Sequence, residues 1–298
     1  MILLGTIVGF ASAGCTAISY VSSRRFMTLS SRGSGQLTAM SFTLMGLASA
    51  AILPCFAGAV WPPYQTLILP LLVACGFFLI AQVTSFYVLT FVQASRLSPL
   101  LGMKVVTIAI LTPVFLGTHI SPMQWAAVVL STVAAFLLIH IGGKLAWQAT
   151  TGVATMVVCY SLSDIGIVKL VNALAGNGAM AAMIAVVLIY MMAGVFGVGC
   201  LIAYGIPDRG TWKLAMPYTV SWFISALLYF ISLQFLGVVF AIIIQATRGL
   251  QSIALGVFLS HHGFHYLEEK TDRATLIRRI AAAILMLMAI VLYFVSAK

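Results

Sequence analysis

Apolar runs of about 18 residues or more, long enough to cross a hydrocarbon layer as helices, recur along almost the whole of this 298-residue chain. Charge is confined largely to the short stretches between them. Only 7% of the residues are charged and 62% are apolar, whereas a soluble globular domain carries about a quarter charged residues. Backbone polar groups have no water to bond in lipid, so a spanning chain is helical or a closed barrel. The runs do not alternate with period two, which selects helices. The expected fold is an all-α integral membrane protein.

Ten spans can be marked, at about Ile2 to Ser22, Gln36 to Val60, Thr66 to Val92, Leu97 to Leu116, Met123 to Ile141, Gln148 to Leu174, Ala179 to Tyr204, Leu214 to Leu236, Val238 to Ser260 and Ala274 to Ser296. Helix breakers and interfacial aromatics meet in Trp61-Pro62-Pro63-Tyr64, and Asn177-Gly178 reads as a turn. Ser23 to Gly35 and Ile206 to Lys213 read as polar loops. Small residues on the first span (Gly5, Gly9, Ala13, Gly14) and the seventh (Gly194, Gly197, Gly199) allow close helix contact. The five cysteines, Cys15, Cys55, Cys75, Cys159 and Cys200, all sit inside apolar runs without metal spacing and read as packing residues.

The net charge of +10 reflects orientation rather than nucleic-acid binding. Arg24, Arg25, Arg32, Arg96, Lys144, Arg209, Lys213, Lys270 and Arg273 fall in connections after odd-numbered spans, and Arg278 and Arg279 stand at the start of span ten, next to the last of these. Basic loops stay in the cytoplasm, so both termini are expected outside it, in a bacterial-type inner membrane. No basic residue precedes the first apolar run, which is read as a retained span rather than a cleaved signal.

Three charges lie deep. Arg248 falls near the middle of span nine, Lys104 in span four and Asp164 in span six. A charge at bilayer depth is costly and marks a functional site by default. Lys104 and Arg248 stand about half the chain apart, as do Cys15 and Cys159, Arg25 and Lys169, and the Phe115-Leu116 and Phe258-Leu259 pairs. The minimal connections three-four and eight-nine also match. These recurrences point to a 5+5 repeat, residues 1–143 and 144–298, with Gly142-Gly143-Lys144 at the boundary. An odd number of spans per repeat inverts the second half, as in many secondary transporters.

Ala94-Ser95-Arg96-Leu97-Ser98-Pro99 through Pro113-Val114-Phe115-Leu116-Gly117, together with ten spans in two halves, resembles the drug/metabolite transporter superfamily in its ten-helix, EamA-like form. An acidic residue often follows such a Phe-Leu-Gly in the family; Thr118-His119 stands here. The resemblance implies transport of a metabolite by alternating access through a cavity between the halves. It extends distantly to the triose-phosphate translocators, which bind phosphate with basic residues on helices four and nine. Lys104 and Arg248 occupy those helices, but Gly249 follows Arg248 where the translocators have a second basic residue.

The expected cargo is a small organic anion or zwitterion bearing a carboxylate or phosphate. Arg248 would grip it with a planar fork, Lys104 would act as a point charge, and Asp164 would orient one of them or take up a proton. In the alternative, Asp164 pairs permanently with a cation and the cargo is an amino acid or a neutral metabolite. Gln82, Tyr87, Tyr160, Trp222, Tyr229 and Gln245 are further candidates for the cavity wall. Coupling to a proton or a counter-substrate is expected, without cofactor, metal or nucleic acid. His261-His262-Gly263-Phe264-His265 reads as a solvated loop rather than a metal site. A non-transporting subunit is a minor reading. An intramembrane enzyme is another, with only five acidic residues and one of them deep. Export of lipophilic cations is disfavoured, because the small four-helix relatives use a carboxylate on the first helix and this first span has none.

Overall fold

The computed structural model describes residues 2–30, 33–89, 101–139, 147–261 and 273–296. Helices follow the apolar runs. They are α1 (Ile2–Leu29), α2 (Ser34–Ile52), α3 (Tyr64–Leu89), α4 (Lys104–Leu116), α5 (Pro122–Ile139), α6 (Trp147–Ala173), α7 (Ala181–Tyr204), α8 (Arg209–Leu236), α9 (Val238–Ala246), α10 (Arg248–His261) and α11 (Arg273–Ser296). No strand occurs among the described residues. Among the described residues, seven segments are long and apolar enough to span a membrane, with α9 and the start of α10 counted together as one of them. The molecule is an integral, multi-pass membrane protein.

Several ends are written locally. Ser121 and Gln124 cap each other's backbone at the start of α5 (2.9 and 3.3 Å), with Pro122 in the first helical position. Gly117 closes α4 in the left-handed conformation, φ 66°, and donates to the carbonyl of Pro113 at 3.1 Å. Asp208 caps α8 through the amides of Gly210 and Thr211. The Thr211 hydroxyl, followed by these amides, holds its carboxyl below the usual range.

The polar stretch from Ser23 is not a loop at its start. α1 continues through Arg24 and Arg25 to Leu29, because nothing in Ser23 to Leu29 breaks a helix that already exists. α8 likewise begins at Arg209, inside the expected loop, as soon as Asp208 supplies a cap. The segment expected as span nine is interrupted at Thr247, whose hydroxyl bonds the carbonyl of Ile244 at 2.6 Å. The expected start of span four, Arg96 and the Gly142-Gly143-Lys144 boundary lie outside the described residues. So do His262, His265 and the charged run Glu268 to Asp272.

The helices pack chiefly in four pairs: α1 on α8, α2 on α7, α3 on α6, and α5 on α11. Small residues set two of these contacts. A Cβ on Gly46 of α2 would stand 2.5 Å from the Cα of Gly194 on α7, and one on Gly166 of α6 would meet the backbone of Ala74 on α3 at 2.6 Å. Lipid offers little drive for helix association, so contact this close is where packing attraction comes from. Gly5 and Gly9 face Leu236 and Ser232 of α8, as the first-span pattern led us to expect. Asn177, in the turn after α6, ties back to Val60 before α3, accepting from its amide at 2.7 Å and donating to its carbonyl at 2.9 Å. These pairs surround a central hollow reached by α1, α3, α4, α6, α7, α8, α9 and α10.

Candidate functional site

The hollow measures about 90 Å³, several times the roughly 10–15 Å³ that one water needs. Lys104, Asp164 and Arg248 all line it, together with Tyr160, Trp222, Tyr229 and Gln245. Sequence reasoning named all seven. Gln82 stands behind the wall: it accepts from the Tyr160 hydroxyl at 2.6 Å and donates to that of Tyr218 at 3.0 Å. Tyr87 lies on an outward face of α3, half exposed and away from the lining. The i, i+5 step from Gln82 carries it round the helix, away from the hollow.

Lys104 is the first residue of α4, directly after a tight turn over Leu101–Met103. A cation there opposes the positive end of the helix dipole and, being buried, is also stripped of water. Asp164 of α6 answers both penalties. Its Oδ2 lies 2.5 Å from the Lys104 Nζ. The Tyr229 hydroxyl of α8 donates to the same oxygen at 2.9 Å. The ammonium also lies over the rings of Tyr160 and Tyr229, 5.4 and 5.8 Å from their centroids, distances at which ring faces attract cations. Three helices thus meet on one ion pair.

Arg248 has the same local position and a different environment. It is the first residue of α10, immediately past the break at Thr247. It makes no ion pair among the described residues, and its Nε is buried without a hydrogen-bond partner. One turn earlier, Gln245 donates its amide to Ser12 Oγ at 2.6 Å while its Oε1 is also buried and unpartnered. The hollow therefore holds one satisfied ion pair and one uncompensated cation, a net charge of about +1 by this count.

Aromatic rings form much of the remaining wall. Phe78 sits at the hub, with ring centroids 5.7 Å from Tyr190, 6.4 Å from Tyr160 and 6.4 Å from Trp222. Trp222 is fixed by its indole N–H, which donates to Tyr190 at 2.8 Å, and by stacking on Tyr218. Thr16, Tyr20, Phe78, Ser163, Tyr190, Ser225 and Phe230 also line the hollow. Tyr20 and Tyr190 carried a usable signal: each is a phenol embedded in an otherwise apolar run. Phe78 and Phe230 carried none, since a ring in an apolar helix packs anywhere. Lys169, the remaining charge on α6, is exposed and lies over Phe115 at 5.8 Å, outside the hollow.

A family model described as "EamA-like transporter family" matches residues 3–140, in agreement with the drug/metabolite transporter superfamily. No curated protein matches the sequence. A solved structure described only as "Crystal structure of protein" is similar to the chain with a TM-score of 0.67 at 13% identity, covering 97% of this chain and 95% of that one. At that identity the likeness concerns the fold alone.

Proposed function

We propose, taking the EamA-like match over residues 3–140 as the premise, that this membrane transporter of the drug/metabolite type is a secondary carrier of a small organic monoanion. The observation that carries the reading is Arg248, a guanidinium at a helix start, lining the hollow, with its Nε buried and unpartnered. An anionic group offsets the charge, satisfies the donor and complements the dipole of α10.

The Lys104–Asp164 pair narrows the charge of the cargo. With Lys104 already neutralised, a dianion such as a phosphate monoester would leave an uncompensated negative charge, whereas a carboxylate would not. The same pair gives the alternative its footing: with both groups satisfied structurally, the cargo is an amino acid or neutral metabolite, and Arg248 is its only charged contact.

The packing supports two inverted halves, residues 1–143 and 144–298, with α9 and α10 as one broken ninth span. Exchanging α1 with α6, α2 with α7, α3 with α8 and α5 with α11 turns the α1–α8 pair into α6–α3 and maps the other two pairs onto themselves. Alternating access then consists of one half rocking against the other about the hollow, driven by a proton or a counter-substrate, with both termini outside the cytoplasm.

Counterflow in proteoliposomes tests this. Labelled monocarboxylates are expected to exchange through the wild-type protein and not through Arg248→Gln, while phosphate monoesters and cations exchange through neither. Equal exchange through the variant would remove Arg248 from the site.

A further inference from the structure

We propose that the hollow selects a 2-hydroxy monocarboxylate with an apolar or aromatic body, and that Gln245 is the residue that recognises the hydroxyl. This rests on Arg248 as the carboxylate anchor and adds a second point of recognition.

The hydrogen bonds around Gln245 fix which way its amide faces. Ser12 Oγ lies 2.7 Å from the backbone oxygen of Ser225, which can only accept, so the single Ser12 hydroxyl proton is committed there. The Ser225 hydroxyl donates in return to the Ser12 carbonyl at 2.9 Å. The Gln245 atom 2.6 Å from Ser12 Oγ must therefore be the donor, Nε2. Oε1 is left buried and without a partner. A buried acceptor left unmet is costly, and Gln245 lines the hollow, so we assign its missing donor to the ligand.

The unmet acceptor and the unmet donor are three residues apart on one helical path, Gln245 and Arg248. Residues so spaced have Cβ atoms roughly 5–6 Å apart. A ligand that meets both presents a carboxylate and a donor on the adjacent carbon. Charge decides the donor. With Lys104 held by Asp164, the hollow carries one net positive charge. A hydroxy acid brings one negative charge and leaves the site neutral; a zwitterionic 2-amino acid leaves the positive charge uncompensated in a poorly solvated space. The rings of Phe78, Trp222 and Tyr190 then receive the body.

The test is the thermal stability of the purified full chain with ligands that differ only at carbon two: 2-hydroxy-3-phenylpropanoate, 3-phenylpropanoate, phenylpyruvate and phenylalanine. Lactate against propanoate repeats the comparison with a minimal body. A ligand selective for the native state raises Tm by mass action. Each hydroxy acid is expected to act at about one-tenth the concentration of its deoxy partner, the size of one net hydrogen bond. Gln245→Leu is expected to erase that ratio. Ser12→Ala, which removes the other partner of the Gln245 amide, is expected to keep it, and both variants are checked for monodispersity. Equal response to hydroxy and deoxy acids, a preference for phenylalanine, or no response to either pair would overturn the proposal. If Arg248→Gln abolishes carboxylate binding while carbon two makes no difference, the carboxylate reading stands and the hydroxyl reading falls.

Discussion

Lys104 and Arg248 hold similar local positions on two helices that meet at one hollow, and their surroundings differ. Each is the first residue of a helix, Lys104 after the tight turn Leu101–Met103 and Arg248 after Thr247, and each lines the same hollow. Lys104 has a carboxylate at 2.5 Å and two ring faces within 6 Å. Arg248 has neither a carboxylate partner among the described residues nor a hydrogen bond at Nε. The difference teaches that position alone does not define a binding residue. The same unfavourable placement is resolved inside the protein at Lys104; at Arg248 no carboxylate among the described residues resolves it, and the proposed function assigns that role to a ligand.

That contrast can be broken most forcefully at Asp164. Asp164→Asn leaves Lys104 as an uncompensated buried charge, and removing one member of a buried pair costs about 3–5 kcal/mol. The loss is read as a drop in Tm in the absence of ligand. Tyr229→Phe removes the one hydroxyl that shares the carboxylate oxygen and leaves the ring over Lys104 in place. A hydrogen bond to a charged group contributes about 1.5–3 kcal/mol, so a smaller drop is expected on the same scan. Replacing the whole pair, Lys104→Met with Asp164→Leu, is expected to restore stability to within about 1 kcal/mol of wild type or above it, since buried pairs are often exchangeable for apolar groups. A double variant as unstable as Asp164→Asn would mean that the pair holds the helices in place and is not merely self-satisfied. The smallest effect on stability is expected at Arg248→Gln. With no partner to strand, this variant should unfold at or slightly above the wild-type temperature. A large loss would show that Arg248 has a structural partner after all.

Much of this was legible in the sequence. Apolar length specified helices, and charge made Lys104, Asp164 and Arg248 conspicuous. Capping was readable at Ser121-Pro122-Met123-Gln124 and at Gly117 because those signals are local. What the sequence withheld was pairing. Asp164 was open to either cation, because its choice depends on how α6 meets α4 and α10 in space. The one-residue interruption at Thr247 was hidden as well: neither glycine nor proline marks it, and Thr247 itself keeps right-handed helical angles, φ -64° and ψ -17°. The ring wall escaped notice for the opposite reason, since Phe78 and Phe230 look like every other packing ring in a chain this apolar. Tyr87 was misplaced because polarity in a span says nothing about which face carries it.

The central claim, that Arg248 waits for an anion while Lys104 does not, is met most directly by ligand-induced stabilisation in two variants side by side. Purified wild type, Lys104→Met with Asp164→Leu, and Arg248→Gln are titrated with one monocarboxylate, and the rise in Tm is followed. The account predicts that the paired-site double variant keeps a substantial rise and that Arg248→Gln shows none. Retained stabilisation in Arg248→Gln, with loss in the double variant, would contradict it and move the anion site to Lys104.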